Sequence, residues 1–148
     1  MMRAGLLTIS STLGRQEEAG KRFHKEGLTL LTECGVPLHD LGVVSSLEGM
    51  SRVQSAIREV NPLIVLVATG GTSRLIRRIC GAARGLVVLW GLPTHNSLPS
   101  CLEALSTIRE RGGVRLVHGG VNQRAVEKVA FYIRLVEASE RLHGARLG

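Results

Sequence analysis

The sequence is poor in aromatic residues and has no apolar run long enough to cross a membrane. Phe, Trp and Tyr make up only 3% of its 148 residues, so aliphatic side chains and alanine must fill the core. The longest apolar runs, LIVLVA and LVVLW, fall far short of the roughly 20 residues of a membrane span. The N-terminal MMRAGLLTIS has no long apolar segment and no cleavage motif, so we read no signal peptide. These absences predict a cytoplasmic protein.

Cysteines are too few and too scattered for a disulfide framework. Cys34, Cys80 and Cys101 are far apart, and none belongs to a C-x-x-C pair. They are therefore predicted to be reduced, mostly buried thiols, as is usual in the cytosol.

Acidic residues are also scarce, which leaves a formal net charge of +7. A basic surface of this kind can bind nucleic acid or another acidic partner. The positive charges, however, are spread along the predicted helices, and the densest group, Arg74, Arg77 and Arg78, lies on one helix face. No aromatic residues that could stack on bases lie nearby. The pattern favours a solvated or partner-facing helix over a nucleic-acid site.

Strand and helix patterns alternate five times along the chain. Strand 62–69 is apolar on both faces, as a central parallel strand requires, whereas strand 36–44 is more polar and is predicted at an edge. The alternation predicts one α/β domain over 1–148, with a five-stranded parallel sheet in the flavodoxin-like order 2-1-3-4-5 and helices on both faces. The strands are predicted at 4–10, 36–44, 62–69, 85–91 and 114–119, and the helices at 15–35, 46–60, 73–83, 101–112 and 121–143.

The loops after the predicted strands carry hydroxyls, glycines, amides and imidazoles, but no carboxylate. Open α/β sheets bind ligands at this edge, where the strand order reverses. The only aspartate, Asp40, lies inside the second strand. The loop residues of interest are 10–15 after the first strand, 69–72 after the third, 93–97 after the fourth and 118–120 after the fifth.

The missing carboxylates exclude several kinds of site. A divalent metal bound by hard oxygen ligands needs acidic side chains, and glycoside hydrolysis needs a pair of them. His95 and His118 could share a metal, but no third ligand accompanies them, so no metal site is predicted. Ser10, Ser11 or Thr72 as a nucleophile would need a base and an orienting acid. We therefore expect no catalysis by this chain alone.

Two interpretations of Gly70 and Gly71 stay open. The pair could let backbone N–H groups at a helix N-terminus approach an anion. The segment is neither a P-loop nor a dinucleotide fingerprint, and the loops lack the aromatics of a flavin site and the histidine of a cobalamin site. Alternatively, the glycines only make the turn into the helix, with Thr72 or Ser73 as its cap.

Four segments taken together resemble the N-terminal domain of the L-fucose/L-arabinose isomerase superfamily. They are GLLTISSTLGR, VLVATGGT, VVLWGLPTHNSLPSCLEAL and ERLHGARLG. The similarity lies in their order and spacing, and it covers essentially the whole chain. In the last segment, Leu142, Gly144, Arg146 and Gly148 match the Leu-x-Gly-x-Arg-x-Gly stretch that leads into the second domain of these enzymes.

The resemblance implies a stand-alone N-terminal domain related to metal-dependent aldose–ketose isomerases. Their divalent metal, commonly manganese, is held by later domains, so a metal is expected only on a partner chain. The N-terminal domain of the family supports assembly and covers a neighbouring subunit's active site. Arg15 is similar in position to a substrate-facing arginine, whereas Thr69–Thr72 replaces a loop that carries an aromatic in the family.

The resemblance and the loop chemistry together give one leading hypothesis and two alternatives. The first is a subunit that forms a homo-oligomer or joins a separate metal-bearing chain, and helices 73–83 and 121–143 are candidate contacts. Val129, Ile133 and Val136 of the last helix, beside Phe131 and Tyr132, can equally be core. The alternatives are an independent binder of a sugar, sugar phosphate or anion, and a structural remnant. The candidate ligand-binding residues are Ser10, Ser11, Arg15, Thr69, Gly70, Gly71, Thr72, His95, Asn96 and His118.

Overall fold

All ten predicted elements are present in the computed structural model, which describes residues 2–12, 16–108 and 113–147 and side chains as far as residue 144. The strands are β1 (Ala4–Ile9), β2 (Leu38–Val44), β3 (Leu63–Val67), β4 (Val87–Gly91) and β5 (Val114–His118). The helices are α1 (Gln16–Glu33), α2 (Leu47–Arg58), α3 (Ser73–Ala82), α4 (Ser97–Ile108) and α5 (Gln123–Leu147).

The five strands form one parallel sheet in the order β2-β1-β3-β4-β5. This confirms the predicted flavodoxin-like arrangement. Every residue of β3 and β4 is buried, whereas β2 is exposed or half-buried up to its last residue, Val44, which is buried. The apolar composition of β3 and the polar composition of β2 thus correspond to their central and edge positions.

Two apolar layers cover the two faces of the sheet. Side chains such as Leu7, Val65 and Leu89 pack with residues of α2, α3 and α4. Their strand neighbours, such as Leu6 and Trp90, point the other way and pack with α1 and α5. On α5, Val129 and Ile133 are core residues, while Phe131 is 58% exposed.

Helix α4 begins earlier than its sequence predicts. The sequence predicts a loop at 92–100 before a helix at 101–112, yet the helix starts at Ser97 and has Pro99 in its first turn. Proline is tolerated there because first-turn N–H groups have no intrahelical acceptor.

Helix α2, which follows β2, starts close to its predicted position. The Ser46 hydroxyl caps it by accepting a hydrogen bond from the Gly49 N–H, 3.0 Å away. No helix within the described residues combines the length and hydropathy of a membrane span.

Candidate functional site

The loops after β3 and β4 meet at the carboxyl edge of the sheet. The Gly70 N–H donates a hydrogen bond to the His95 carbonyl, 2.6 Å away. A Cβ on Gly70 would lie 2.6 Å from Cβ of Asn96 and 2.7 Å from its carbonyl oxygen. Only glycine therefore allows this approach without a shift of one loop. Gly70, the first glycine of the predicted anion site or turn, is thus the contact point between two candidate loops.

Backbone conformation at this contact is unusual for residues with side chains. His95 and Asn96 both have positive φ, at 55° and 57°, and Gly71 has φ 71°. The left-handed region is disfavoured for non-glycine residues, although Asn and His tolerate it best. His95 and Asn96 are exposed, and so is Gly71. The result is a rim that presents an imidazole, an amide and glycine backbone to solvent.

Most of the predicted hydroxyl residues make hydrogen bonds within and between the loops that carry this rim. Thr69 Oγ1 accepts a hydrogen bond from the Ser11 N–H at 2.6 Å, and the Thr72 hydroxyl donates to the Thr69 carbonyl at 3.0 Å. Ser10 Oγ lies 3.2 Å from Ser45 Oγ. Ser10, Thr69 and Thr72 are all buried. These hydroxyls fix the loops relative to each other, and the ligand-binding role predicted for them stays a prediction.

A buried serine that sequence analysis did not single out joins three elements. The Ser97 hydroxyl donates to the Val67 carbonyl at the end of β3 and accepts from the Leu92 N–H, 2.8 Å away, just after β4. Ser97 itself begins α4 and is fully buried. It therefore holds the β4–α4 loop, and with it His95 and Asn96, at the end of β3.

Helix α1 brings an aromatic side chain to the same rim. The Phe23 ring lies edge-on to His95, with ring centres 6.0 Å apart, and the Arg22 guanidinium lies 5.0 Å from the Phe23 ring centre. Phe23 was not predicted as a site residue. Its one sequence signal is a position two turns into the helix that follows the first candidate loop.

Two predicted residues are not among those that meet at the rim. Arg15 lies outside the described residues. His118 is exposed at the end of β5 and lines a groove with Arg124, Lys128 and Phe131 of α5. Within the described chain, His118 makes no hydrogen bond or ring contact with His95. In the same part of the chain, no group of three His, Cys, Asp or Glu side chains could hold a metal ion.

A chain of hydrogen bonds that sequence analysis missed connects buried Thr8 of β1 and His24 of α1 to the partly exposed Asp40 of β2. Thr8 Oγ1 lies 2.7 Å from Nδ1 of His24, and His24 Nε2 lies 2.6 Å from Oδ1 of Asp40. The Gly42 N–H also donates to Asp40 Oδ1 at 2.9 Å. Thr8 is fully buried in mid-strand, so a substrate has no access to its hydroxyl. The order of groups is that of a hydrolase triad, but the buried position of the Thr8 hydroxyl makes it a structural contact.

The hydrogen bonds to Asp40 change its acidity. Partial burial raises the pKa of this carboxyl. The hydrogen bond from His24, the Gly42 N–H and the charge of His24 together lower it by more, so the net pKa lies below its ordinary value.

At Cys101, burial raises the pKa of the thiol to about 12, and a hydrogen bond with Ser97 lowers it by a smaller amount. This cysteine is therefore an unreactive thiol rather than a nucleophile.

The N-terminus of α3 carries no side-chain cap. Thr72 occupies the N-cap position, but its hydroxyl is directed back to Thr69. No acidic residue lies in the first turn of this helix. Of the two residues named as possible caps, Thr72 therefore holds the N-cap position but makes no capping hydrogen bond, because its hydroxyl closes the Thr69–Thr72 turn instead.

Comparison with models of known protein families gives no match for this chain, and comparison with curated proteins gives none either.

Proposed function

We propose that this chain is a sugar-isomerase-like N-terminal domain that joins a metal-containing partner chain and covers the sugar site of that partner. The observation that carries this proposal is the rim formed by Gly70, Gly71, His95 and Asn96. It offers neutral donors and acceptors, and the loops that form it contain no carboxylate. Sugars are bound largely through such neutral hydrogen bonds.

The donor set of the rim does not fit a divalent metal. Manganese and similar hard ions need several oxygen ligands, usually carboxylates, whereas this rim has one imidazole and one amide side chain. A domain of this composition can lie over a metal–sugar site without competing for the metal. In the proposed assembly the metal is therefore bound by the partner chain.

The first experiment measures the mass of the chain by light scattering, alone and mixed with the product of a neighbouring gene that carries an isomerase metal domain. A defined complex with manganese-dependent aldose–ketose activity is expected. Its activity should fall about tenfold or more when His95→Ala and Asn96→Ala are combined, since removing hydrogen bonds to a substrate costs about 1–1.5 kcal/mol each. His39→Ala, an exposed change on β2, is the matched control.

Two results of this experiment would contradict or narrow the proposed covering role. A chain that forms no complex, or a complex whose activity is unaffected by the rim variants, would contradict a covering role. Binding of the chain to its partner without any change in activity would reduce its role to assembly.

An independent small-molecule binder is the second candidate, and it is favoured by the preformed state of the rim. The β3–α3 and β4–α4 loops are already joined by the Gly70–His95 hydrogen bond and by Ser97, so no partner is needed to organise them. The test is an NMR titration of the isolated chain with L-fucose, L-arabinose and inorganic phosphate. Saturable shifts at Gly70, Gly71 and Asn96 without any partner would favour this candidate.

A further inference from the structure

Strand β5 leaves one edge of the sheet open. The Val87 N–H donates to the Gly113 carbonyl and the Gly119 N–H donates to the Gly91 carbonyl. In a parallel ladder this places the backbone groups of odd-numbered residues toward β4 and those of even-numbered residues outward. Arg115 covers the Val114 carbonyl with its own side chain, 3.0 Å away. Leu116 and His118 thus face outward with backbone donors and acceptors, and no described strand pairs with them.

A groove runs beside this edge, between β5 and α5. Its volume is about 420 Å³, which lies within the range of binding sites. Near the carboxyl end of β5 it is lined by His118, Arg124 and Lys128, and further down by Leu116, Phe131 and Tyr132. One end of the groove is therefore basic and the other is apolar.

The basic end has more positive charge than its neighbours balance. Arg124 and Lys128 are exposed, lie one helical turn apart, and form no ion pair within the described chain. Like charges at this spacing destabilise a helix by a few tenths of a kcal/mol. Glu127 is the one acid that lines the groove, and its carboxylate accepts a hydrogen bond from Gln123. An anionic group beside Arg124 and Lys128 would relieve their repulsion.

The apolar end continues along α5 as an exposed stripe. Phe131, Leu135 and Leu142 are 58%, 51% and 68% exposed, and their spacing places them along one side of the helix. Large apolar residues this exposed mark an interaction surface, and Phe131 brings the near end of the stripe into the groove beside β5.

We propose that the β5–α5 groove binds an extended segment of a partner protein, which adds to β5 as a sixth strand. The segment carries an acidic residue and a large apolar residue two positions apart. Because alternate residues of a strand share a face, the acid would then lie level with Arg124 and Lys128 and the apolar residue level with Phe131. A second copy of this chain is a poorer occupant, since its own β5 strand, VRLVH, has no acidic residue to lie level with Arg124 and Lys128. The groove lies on the β5 side, so this binding does not depend on a sugar site at the Gly70–His95 rim.

The test uses a seven-residue peptide with blocked ends and the sequence Thr-Glu-Thr-Leu-Thr-Glu-Thr. Each glutamate thus lies two positions from the central leucine. This peptide presents the same face in either strand direction. Upon titration, the amide signals of Leu116 and His118 are expected to shift most. Charge reversal in the double variant Arg124→Glu, Lys128→Glu should weaken binding about tenfold or more, and should create binding of the peptide in which lysine replaces glutamate.

The matched control is Arg74→Glu with Arg78→Glu, which changes the charge by the same amount on exposed positions of α3. This control should bind the glutamate peptide as well as the unaltered chain does. Equal weakening by both double variants would show a non-specific charge effect and overturn the proposal. A stable dimer in which the Leu116 and His118 amides are protected before any peptide is added would also overturn it, because a second copy would then occupy the edge.

Discussion

Gly70 is the residue at which the candidate rim is closed. The absence of a side chain there allows the β3–α3 loop to approach Asn96, and the backbone N–H to reach His95. From the sequence, an anion-binding loop and a turn both stay open at this position, whereas the contact with Asn96, 26 positions further along the chain, depends on β3 and β4 being neighbours. Local sequence thus identifies the glycine, and the sheet order determines what it contacts.

Gly70→Ala is expected to destabilise the protein by about 1–3 kcal/mol, because the loops must separate and the hydrogen bond from Gly70 to His95 is lost or lengthened. Urea unfolding measures the loss. Gly81→Ala is the control, since a Cβ there meets nothing within 4 Å on an exposed position of α3, and it should stabilise by about 0.5–1 kcal/mol. Equal effects of the two changes would show that the close approach at Gly70 carries no energetic weight.

Asp40 gives the protein an acid-sensitive contact. Its pKa is lower in the folded chain than its ordinary value of 3.8, so the unfolded chain takes up this proton first as the pH falls. The stabilisation is complete above pH 3.8 and is lost as the pH drops through the lower folded pKa. Because the side chain of Asp40 is 52% exposed, solvent screening limits the effect.

Asp40→Asn should therefore make stability fall less steeply with acid below about pH 4. Unfolding measured at several pH values checks this, with Glu103→Gln on the exposed face of α4 as the control. A slope as steep in Asp40→Asn as in the unaltered chain would place the acid sensitivity elsewhere.

The contact between His24 and Asp40 could not be predicted from the sequence, for a physical reason. Asp40 was recognised as a lone acid inside a strand, but His24 lies 16 positions away on α1. Their contact depends on how α1 rotates over β1 and β2, and no local pattern specifies that angle. Phe23 and His95 illustrate the same limit, since their rings meet only when α1 and the β4–α4 loop share an edge.

Among the elements, those with a strong apolar pattern were predicted best. Strands β3 and β4 are apolar throughout and prove to be central and fully buried. The start of α4 was the clearest error, because Pro99 reads as a breaker unless its place in the first turn is known. Ser97, the first residue of that helix, bonds to Val67 of β3 and to Leu92 just beyond β4, contacts that its local sequence does not reveal.

Ser97→Ala should destabilise the fold by about 1–3 kcal/mol, since it leaves the Leu92 N–H and the Val67 carbonyl without their partner in a buried place. Thermal or urea unfolding measures this. Ser106→Ala, on the exposed side of the same helix, should change stability by less than about 0.5 kcal/mol. A small effect at Ser97 would mean that water or another group replaces its hydroxyl.

For the whole molecule, the two apolar layers are expected to unfold together because they share one sheet. Ile79 lies in one layer and Ile133 in the other, and the sheet separates them. Ile79→Val and Ile133→Val should each cost about 0.5–1.5 kcal/mol, and the double variant should lose their sum within about 0.5 kcal/mol.

A single transition should be seen both by circular dichroism and by the fluorescence of Trp90, the only tryptophan, which is buried in the α1–α5 layer. Two separate transitions would show that the layers unfold separately. In that case the midpoint seen by Trp90 fluorescence would change in Ile133→Val but not in Ile79→Val.

The unequal burial of the three thiols allows local opening of the folded chain to be measured by chemical modification. Cys80 and Cys101 are buried in the α2–α4 layer, whereas Cys34 is half-buried at the end of α1. A water-soluble thiol reagent added to the native protein should therefore modify one site quickly and the other two only in molecules whose layer has opened. Mass spectrometry of the unaltered chain would then count opening events directly, as the ratio of triply to singly modified protein over time.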